Sequence, residues 1–300
     1  AESNNATLTL APANHVLSAQ NVSYWTYVGR VCSKRQRKDI LRDVTCVFKK
    51  GVNIILGPTG SGKTTFLDLM AGRKNQSQYS GQVLLDGRPR PRDFKTGVGY
   101  VTQDDVMMST LTVRENIAFS AALRLPSSYS SEERKKKVEE VINELRLDKC
   151  AGTKIGGDEA RGVSGGERKR CNIGMEMIIS PPVLFLDEPT TGLDSSTANS
   201  VMKLLKCMAQ AGRVIILSIH QPRFSIYQLV DSTTMLAGGR LLYQGPPNSA
   251  IDFFAAQGFI CPAYNNPPDF FLDVITSNTE ESEVYPTQNT DILIEGFKNS

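Results

Sequence analysis

No run in this 300-residue sequence is apolar for long enough to cross a membrane as a helix. The longest, such as Val214 to Leu217 and Val183 to Leu186, fall far short of the roughly 20 apolar residues a span requires, so the chain itself is not expected to cross a bilayer. A strong charge of either sign is also missing. The net charge of +3 is too small to imply a nucleic-acid partner, and the two basic runs, residues 33–38 and 133–137, read as solvated loop and helix faces. The six cysteines, Cys32, Cys46, Cys150, Cys171, Cys207 and Cys261, show no C-x-x-C spacing. That argues against a zinc site and for a reducing compartment, hence a cytosolic location. A methionine start is lacking too, and residues 276–300 are polar, so the chain is expected to be a piece of something longer. What remains, 40% hydrophobic and 22% charged, is the composition of a folded globular chain rather than a disordered one.

Short β-branched runs bounded by Gly, Pro or polar residues predict strands at 52–56, 83–86, 98–102, 183–187 and 214–219. Most lack in/out alternation, as strands covered on both faces do, which predicts an α/β fold with a largely parallel sheet. Between the third and fourth strands the sequence reads as helical. Thr112 to Glu115 and Ser130 to Glu133 each fit a capping box, and Val138, Val141, Ile142 and Leu145 recur at i, i+3, i+4, i+7. A helix over 194–211 carries Val201, Leu204, Leu205 and Met208 on its core face. The segment "NNPPDFF", residues 265–271, reads as a Pro-broken turn with two core phenylalanines.

"GPTGSGKT", residues 57–64, satisfies G-x-x-x-x-G-K-[ST] between a predicted strand and a predicted helix. There, glycines let successive backbone N–H groups point inward as an anion nest, Lys63 reaches the β and γ phosphates of a nucleotide, and the Thr64 hydroxyl can ligate Mg²⁺. "VLFLDE" ends a buried strand in Asp187 and Glu188. The first suits a Mg²⁺ contact and the second can polarise a water. Gln103 and His220 close two more predicted strands at the same sheet edge, where open α/β sheets bind ligands. Gln103 there can touch Mg²⁺ or water, and His220 can contact the γ-phosphate.

These features predict an ATPase or GTPase. A second feature, "VSGGERKR" at 163–170, holds no catalytic group. Ser164, Gly165 and Gly166 precede the apolar-periodic Ile173, Met177 and Ile178, so they form a helix N-terminus with free N–H groups, a second phosphate-binding end. Because it leaves the helical insert, it need not face the nucleotide of its own chain; two chains head to tail would let each contribute one end.

In that order, "GPTGSGKT", Gln103, "VSGGE", "VLFLDE", "TTGLDS" and His220 resemble the nucleotide-binding domain of ATP-binding cassette (ABC) proteins, over roughly residues 16–275. The longer strings "TLTVRENIAFSAALRLP", "RGVSGGERKR", "FLDEPTTGLDSSTAN", "SIHQPR" and "AYNNPPDFFLDVI" are similar to the G subfamily of half-transporters, its multidrug exporters in particular. The resemblance implies an α/β fold: a RecA-like P-loop NTPase core with an antiparallel β subdomain and an inserted α-helical subdomain over about 104–180. It implies a flexible segment at 1–15 and a polar linker at 276–300 towards a transmembrane domain absent from this chain. It further implies ATP and Mg²⁺ as ligands, a head-to-tail homodimer, no nucleic-acid partner, and a soluble domain at the cytoplasmic face of the plasma membrane.

Carried over by residue, Gly57, Pro58, Thr59, Gly60, Ser61, Gly62, Lys63, Thr64 and Thr65 are the Walker A loop. Ser164, Gly165, Gly166 and Glu167 are the signature, Asp187 the Walker B acid, Glu188 the catalytic carboxylate and Asp194 the D-loop acid. Gln103 is the Q-loop residue and His220 the switch histidine, both catalytic, with Thr64, Gln103 and Asp187 at the metal. Val163 stands where the superfamily usually has leucine. Counting from Asn21 puts Thr26 where many cassettes have an adenine-stacking ring, with Tyr24, Trp25 and Tyr27 around it, so a strong stack is not expected. The implied activity is ATP hydrolysis driving export of lipophilic drugs, organic anions or related xenobiotics. Sterol or lipid export is the alternative. A soluble ABC ATPase acting on nucleic acid is disfavoured because no heptad array is inserted before the signature.

Overall fold

Two sheets built on different side-chain patterns frame the protein. The computed structural model describes residues 15–29, 36–157, 162–276 and 288–299; residues 1–14 of the N-terminal segment lie outside the described residues. In chain order the strands are β1 (Leu17–Val28), β2 (Gln36–Phe48), β3 (Gly51–Leu56), β4 (Tyr79–Leu85), β5 (Arg88–Pro89), β6 (Gly99–Val101), β7 (Val183–Leu186), β8 (Val214–Ser218), β9 (Ser232–Ala237) and β10 (Arg240–Gly245). The helices are α1 (Lys63–Met70), α2 (Phe94–Gly97), α3 (Val113–Arg124), α4 (Ser131–Glu144), α5 (Gly165–Met177), α6 (Ser195–Gln210), α7 (Phe224–Tyr227), α8 (Pro247–Ala256), α9 (Pro267–Thr276) and α10 (Gln288–Lys298).

The six-stranded sheet runs β10-β9-β3-β8-β7-β6, parallel except for β10. β3, β7 and β8 are buried at every residue because both faces are covered, as parallel sheets require. Val52, Ile54, Leu56, Leu184, Leu186, Ile215 and Leu217 point into one core with α5, α6 and the other insert helices. Ile55, Val183, Phe185, Val214 and Ile216 point into a second, with Phe66 of α1 and the four-stranded antiparallel sheet β2-β1-β4-β5. The P-loop NTPase core, antiparallel β subdomain and helical insert implied by the resemblance are all present.

The helical insert follows its caps. Thr112 and Ser130 each accept from the backbone N–H of a glutamate three residues on, which reaches back to the cap N–H, closing both predicted boxes. Differences from the sequence reading have local causes. The run at 83–86 is part of β4, in the antiparallel sheet rather than the parallel one. β1 and β2 escaped notice because bulges at Ala19/Val22 and Val22/Tyr24 break their alternation. β9 escaped because its first buried residues are threonines, Thr233 and Thr234. "NNPPDFF" opens a helix, α9, not a turn: Pro267 and Pro268 occupy its first positions, where a missing N–H costs nothing.

The segment expected to be a polar linker contains α10. Leu293 and Ile294 are buried in the main core, and Arg240 Nη2 meets Asp291 Oδ1 at 2.6 Å. Two apolar residues spaced to one side of a polar helix suffice to dock it, a pattern that average polarity hides. Leu293→Ala is therefore expected to destabilise the domain by about 2–5 kcal/mol, lowering the melting temperature by several degrees in calorimetry. A linker would leave the transition unmoved.

Candidate functional site

Four strand ends lie side by side. β3, β8, β7 and β6 are consecutive, parallel neighbours, so the residues just beyond each strand emerge in a row at one sheet edge. The Gly57–Thr65 loop comes after β3, His220 after β8, Asp187 and Glu188 after β7, and Gln103 after β6. The row is at the carboxyl ends of the strands, the ligand-binding edge of such sheets.

In the loop, Gly57 (φ 154°), Gly60 (φ 77°) and Gly62 (φ 98°) hold left-handed conformations. Gly62 caps α1. The Lys63 ammonium donates back to the carbonyls of Gly57 at 2.7 Å and Pro58 at 3.0 Å. Burial lowers its pKa, and the carboxylates of Glu188 and Asp187 push it back up.

Asp187 is buried, and its Oδ1 accepts from Thr64 Oγ1 at 3.2 Å and from Ser218 Oγ at 2.6 Å. Ser218 Oγ in turn accepts from the Glu188 N–H at 2.9 Å. Glu188 sits at φ 46°, a strained value for a side-chain-bearing residue. Its Oε2 accepts from Gln103 Nε2 at 3.1 Å and Thr191 Oγ1 at 3.0 Å. His220 Nε2 and Thr59 Oγ1 are 3.0 Å apart. The predicted residues of the loop, Gln103, Asp187, Glu188 and His220 thus come together.

Ser164 to Glu167 and Asp194 do not join them. Ser164 caps α5: Glu167 N–H donates to its Oγ, while Ser164 N–H and Oγ donate to Glu167 Oε2, both at 2.8 Å. Those bonds hold the Glu167 carboxyl below its usual pKa, the Ser164 N–H foremost. Asp194 caps α6, its Oδ1 accepting from Ser196 N–H and Thr197 N–H at 3.0 Å each. The two helix ends pack on each other. A Cβ on Gly166 would lie 2.2 Å from Thr197 Cγ2, so a larger residue there would have to displace the Thr197 side chain. Among the described residues, none of the hydrogen bonds of Ser164, Glu167 or Asp194 reaches the Gly57–Thr65 loop. Near Thr26, the Trp25 ring is covered by the Arg37 guanidinium at 4.1 Å, and Tyr24 is buried.

Three residues escaped the sequence reading. Ser218 is a polar residue ending an otherwise apolar buried strand, a position that demands a partner. Thr191 stands three residues after Glu188, within reach of its carboxylate. Lys169 lies four residues before Ile173 and eight before Met177, on the buried stripe of α5; a cation there must be paired.

A phosphate-type loop, a strand-end acid pair and a separate glycine-opened helix end define a P-loop NTPase of the cassette type. A family model described as ABC transporter matches residues 41–191, and the chain belongs to that family. A second model, ABC-2 type transporter, matches residues 220–294; these run from His220 through β9 and β10 into α10, and among the described residues no helix is long and apolar enough to cross a membrane. The broad substrate specificity ATP-binding cassette transporter ABCG2 of Bos taurus is 55% identical over 88% of this chain and 41% of its own length. The ATP-binding cassette sub-family G member 3 of Mus musculus is 39% identical over 91% and 42%. The chain thus spans about two fifths of the length of the curated relatives it matches. Among solved structures, cbiO1 of Clostridium perfringens aligns with a TM-score of 0.66 at 24% identity, covering 82% of this chain and 94% of that one. A dimeric cassette bound to ADP and Pi aligns at 0.63 and 23%, covering 77% and 98%. Both share the fold.

Two glycines of the loop separate steric from torsional demand. A Cβ on Gly57 would stand 2.1 Å from the Leu236 carbonyl oxygen and 2.7 Å from Ser61 Oγ, whereas one on Gly60 meets nothing within 4 Å. Gly60→Ala is expected to cost about 1–3 kcal/mol of backbone strain and to retain nucleotide binding. Gly57→Ala is expected to distort the loop and abolish it in a fluorescent-nucleotide titration; equal affinities would refute the distinction.

Proposed function

We propose that this chain is the ATP-binding and ATP-hydrolysing domain of an ABC half-transporter that exports lipophilic drugs, organic anions or related xenobiotics. It works at the cytoplasmic face of a membrane, with a transmembrane domain and a second copy of itself. The observation that carries the reading is the row at the sheet edge: a cationic phosphate loop, a buried aspartate and a glutamate held by Gln103 and Thr191, all within one hydrogen-bonded set.

ATP would lie on Gly57 to Thr65, its phosphates facing the loop amides, Lys63 and the α1 N-terminus. Mg²⁺ fits the same place: Thr64 Oγ1 and Asp187 Oδ1 already converge at 3.2 Å, and Mg²⁺ takes few protein oxygens beside phosphates and waters. Gln103 would complete its protein side, and when bound the ion neutralises phosphate charge. Glu188 would act as general base, accepting the proton of the attacking water, and the hydrogen bonds of Gln103 and Thr191 to its carboxylate support that role. His220, which touches Thr59 of the loop, would hold the γ-phosphate end. Among the described residues, no hydrogen bond of Ser164, Glu167 or Asp194 reaches this loop, so the Ser164–Glu167 end, with its Gly165 and Gly166 amides, and Asp194 would serve the nucleotide of the second copy, head to tail.

Glu188→Gln is expected to lower kcat by about 10²–10⁴ while an ATP-bound dimer accumulates in size-exclusion chromatography; unchanged turnover would sink the assignment. Specific ATPase activity should also rise with protein concentration. Ser164→Arg should abolish turnover without removing ATP binding, at about 1 kcal/mol of stability for the lost cap. Activity independent of concentration would favour a self-contained site.

A further inference from the structure

Lys169 is almost fully buried, at 4% exposure, and takes no part in the nucleotide set. Its ammonium meets Asp105 Oδ1 at 2.6 Å and the Gln103 carbonyl oxygen at 3.1 Å. Asn172, one turn further along α5, donates to the same Asp105 oxygen at 2.8 Å. Near the other end of the helix, Glu176 Oε2 accepts from the Tyr100 N–H at 3.0 Å and from Arg124 at 2.7 Å.

One helix therefore grips the segment from β6 into the following loop at both ends. Lys169 and Glu176 are two turns apart, about 10 Å along the axis, and Tyr100 to Gln103 spans about the same length of extended chain. Two stiff elements pinned at matching points do not slide past each other without breaking a buried ion pair. The Gln103 side chain touches the Glu188 carboxylate, and the N-terminus of α5 is the Ser164–Glu167 end.

We infer that Lys169 is a positioning residue that makes Gln103 and the signature end of α5 move as one body, so that occupation of a chain's own loop alters the end it offers to another nucleotide. The inference rests on the reading that Gly57 to Thr65 hold ATP. A buried cation directed at a backbone carbonyl and a carboxylate fixes position in a way that an apolar side chain of equal length does not, because both acceptors are directional.

The test is hydrogen exchange of the peptide covering residues 164–171, with and without a non-hydrolysable ATP analogue and Mg²⁺, at a concentration where light scattering shows monomer. Nucleotide affinity is measured in parallel by fluorescence. In the wild type and in Lys169→Arg, the analogue is expected to change exchange in this peptide by about fivefold or more, the lower end of typical coupling between sites. In Lys169→Met the response should vanish while affinity is retained. Because a lone buried Asp105 can unfold the region, Lys169→Met/Asp105→Asn is carried alongside, removing both charges and keeping a partner for Asn172; it should behave as Lys169→Met does. An undiminished response in either variant, or no response in a nucleotide-bound wild type, overturns the inference. Failure of the wild type to bind the analogue instead removes the ATP reading, and the inference with it.

Discussion

The buried carboxylate of Asp187 is the charge around which the sheet edge is arranged. An anion taken out of water costs several kcal/mol unless it is paired and its lone pairs are used. Asp187 meets that demand from three directions: the Thr64 hydroxyl on α1, the Ser218 hydroxyl at the end of β8, and the nearby Lys63 ammonium. The position of α1 on the sheet and the Leu186 to Leu217 register of β7 on β8 are tied to one charge. Ser218 ties in the next residue as well, since its oxygen also receives the Glu188 N–H. Glu188 is thereby held in a left-handed conformation that costs about 1–3 kcal/mol, and its carboxylate is turned to where Gln103 and Thr191 reach it.

A different constraint governs the second half of the molecule's chemistry. The capping box at Ser164 satisfies the Glu167 N–H but leaves the Gly165 and Gly166 amides, the first of the helix, without intrahelical partners. Gly166 sits against Thr197, and a Cβ there would press on it. That contact binds the α5 end to the α6 end, where Asp194 occupies its carboxylate in its own cap. The two ends form one face, separate from the row at the sheet edge. Under the proposed function such a divided site would be completed by a second copy, which is why the dimer belongs to that proposal rather than being an addition to it.

The sheet edge was legible in the sequence because its chemistry needs fixed residue types at fixed spacing: glycines and a lysine after one strand, two acids after another, a glutamine and a histidine after two more. Their meeting was legible too, since all end strands predicted to be parallel. The antiparallel sheet left only a bulged and partly exposed pattern in β1 and β2, too irregular to count as alternation, and entered the reading by resemblance alone. α10 was hidden by averaging, its two buried apolar residues, Leu293 and Ile294, outnumbered by polar neighbours. Ser218, Thr191 and Lys169 were missed for a common reason: they act on other site residues instead of on a ligand, so no ligand-centred spacing announces them.

In "VSGGERKR" four consecutive charged residues invite a single description as a solvated helix start, yet helical geometry divides them. Glu167 closes the cap and Arg168 turns to the carbonyls of Ile155 and Gly156. Lys169 falls on the stripe of Ile173 and Met177 and is drawn inside, which is sustainable only because Asp105 and the Gln103 carbonyl meet it there. An apolar pair of similar volume at 169 and 105 would, by the energetics of buried ion pairs, be as stable or more so. It would hold α5 against the loop without specifying which carbonyl lies opposite. The buried charge thus contributes definition of position more than stability, and the position it defines is that of Gln103 against Glu188.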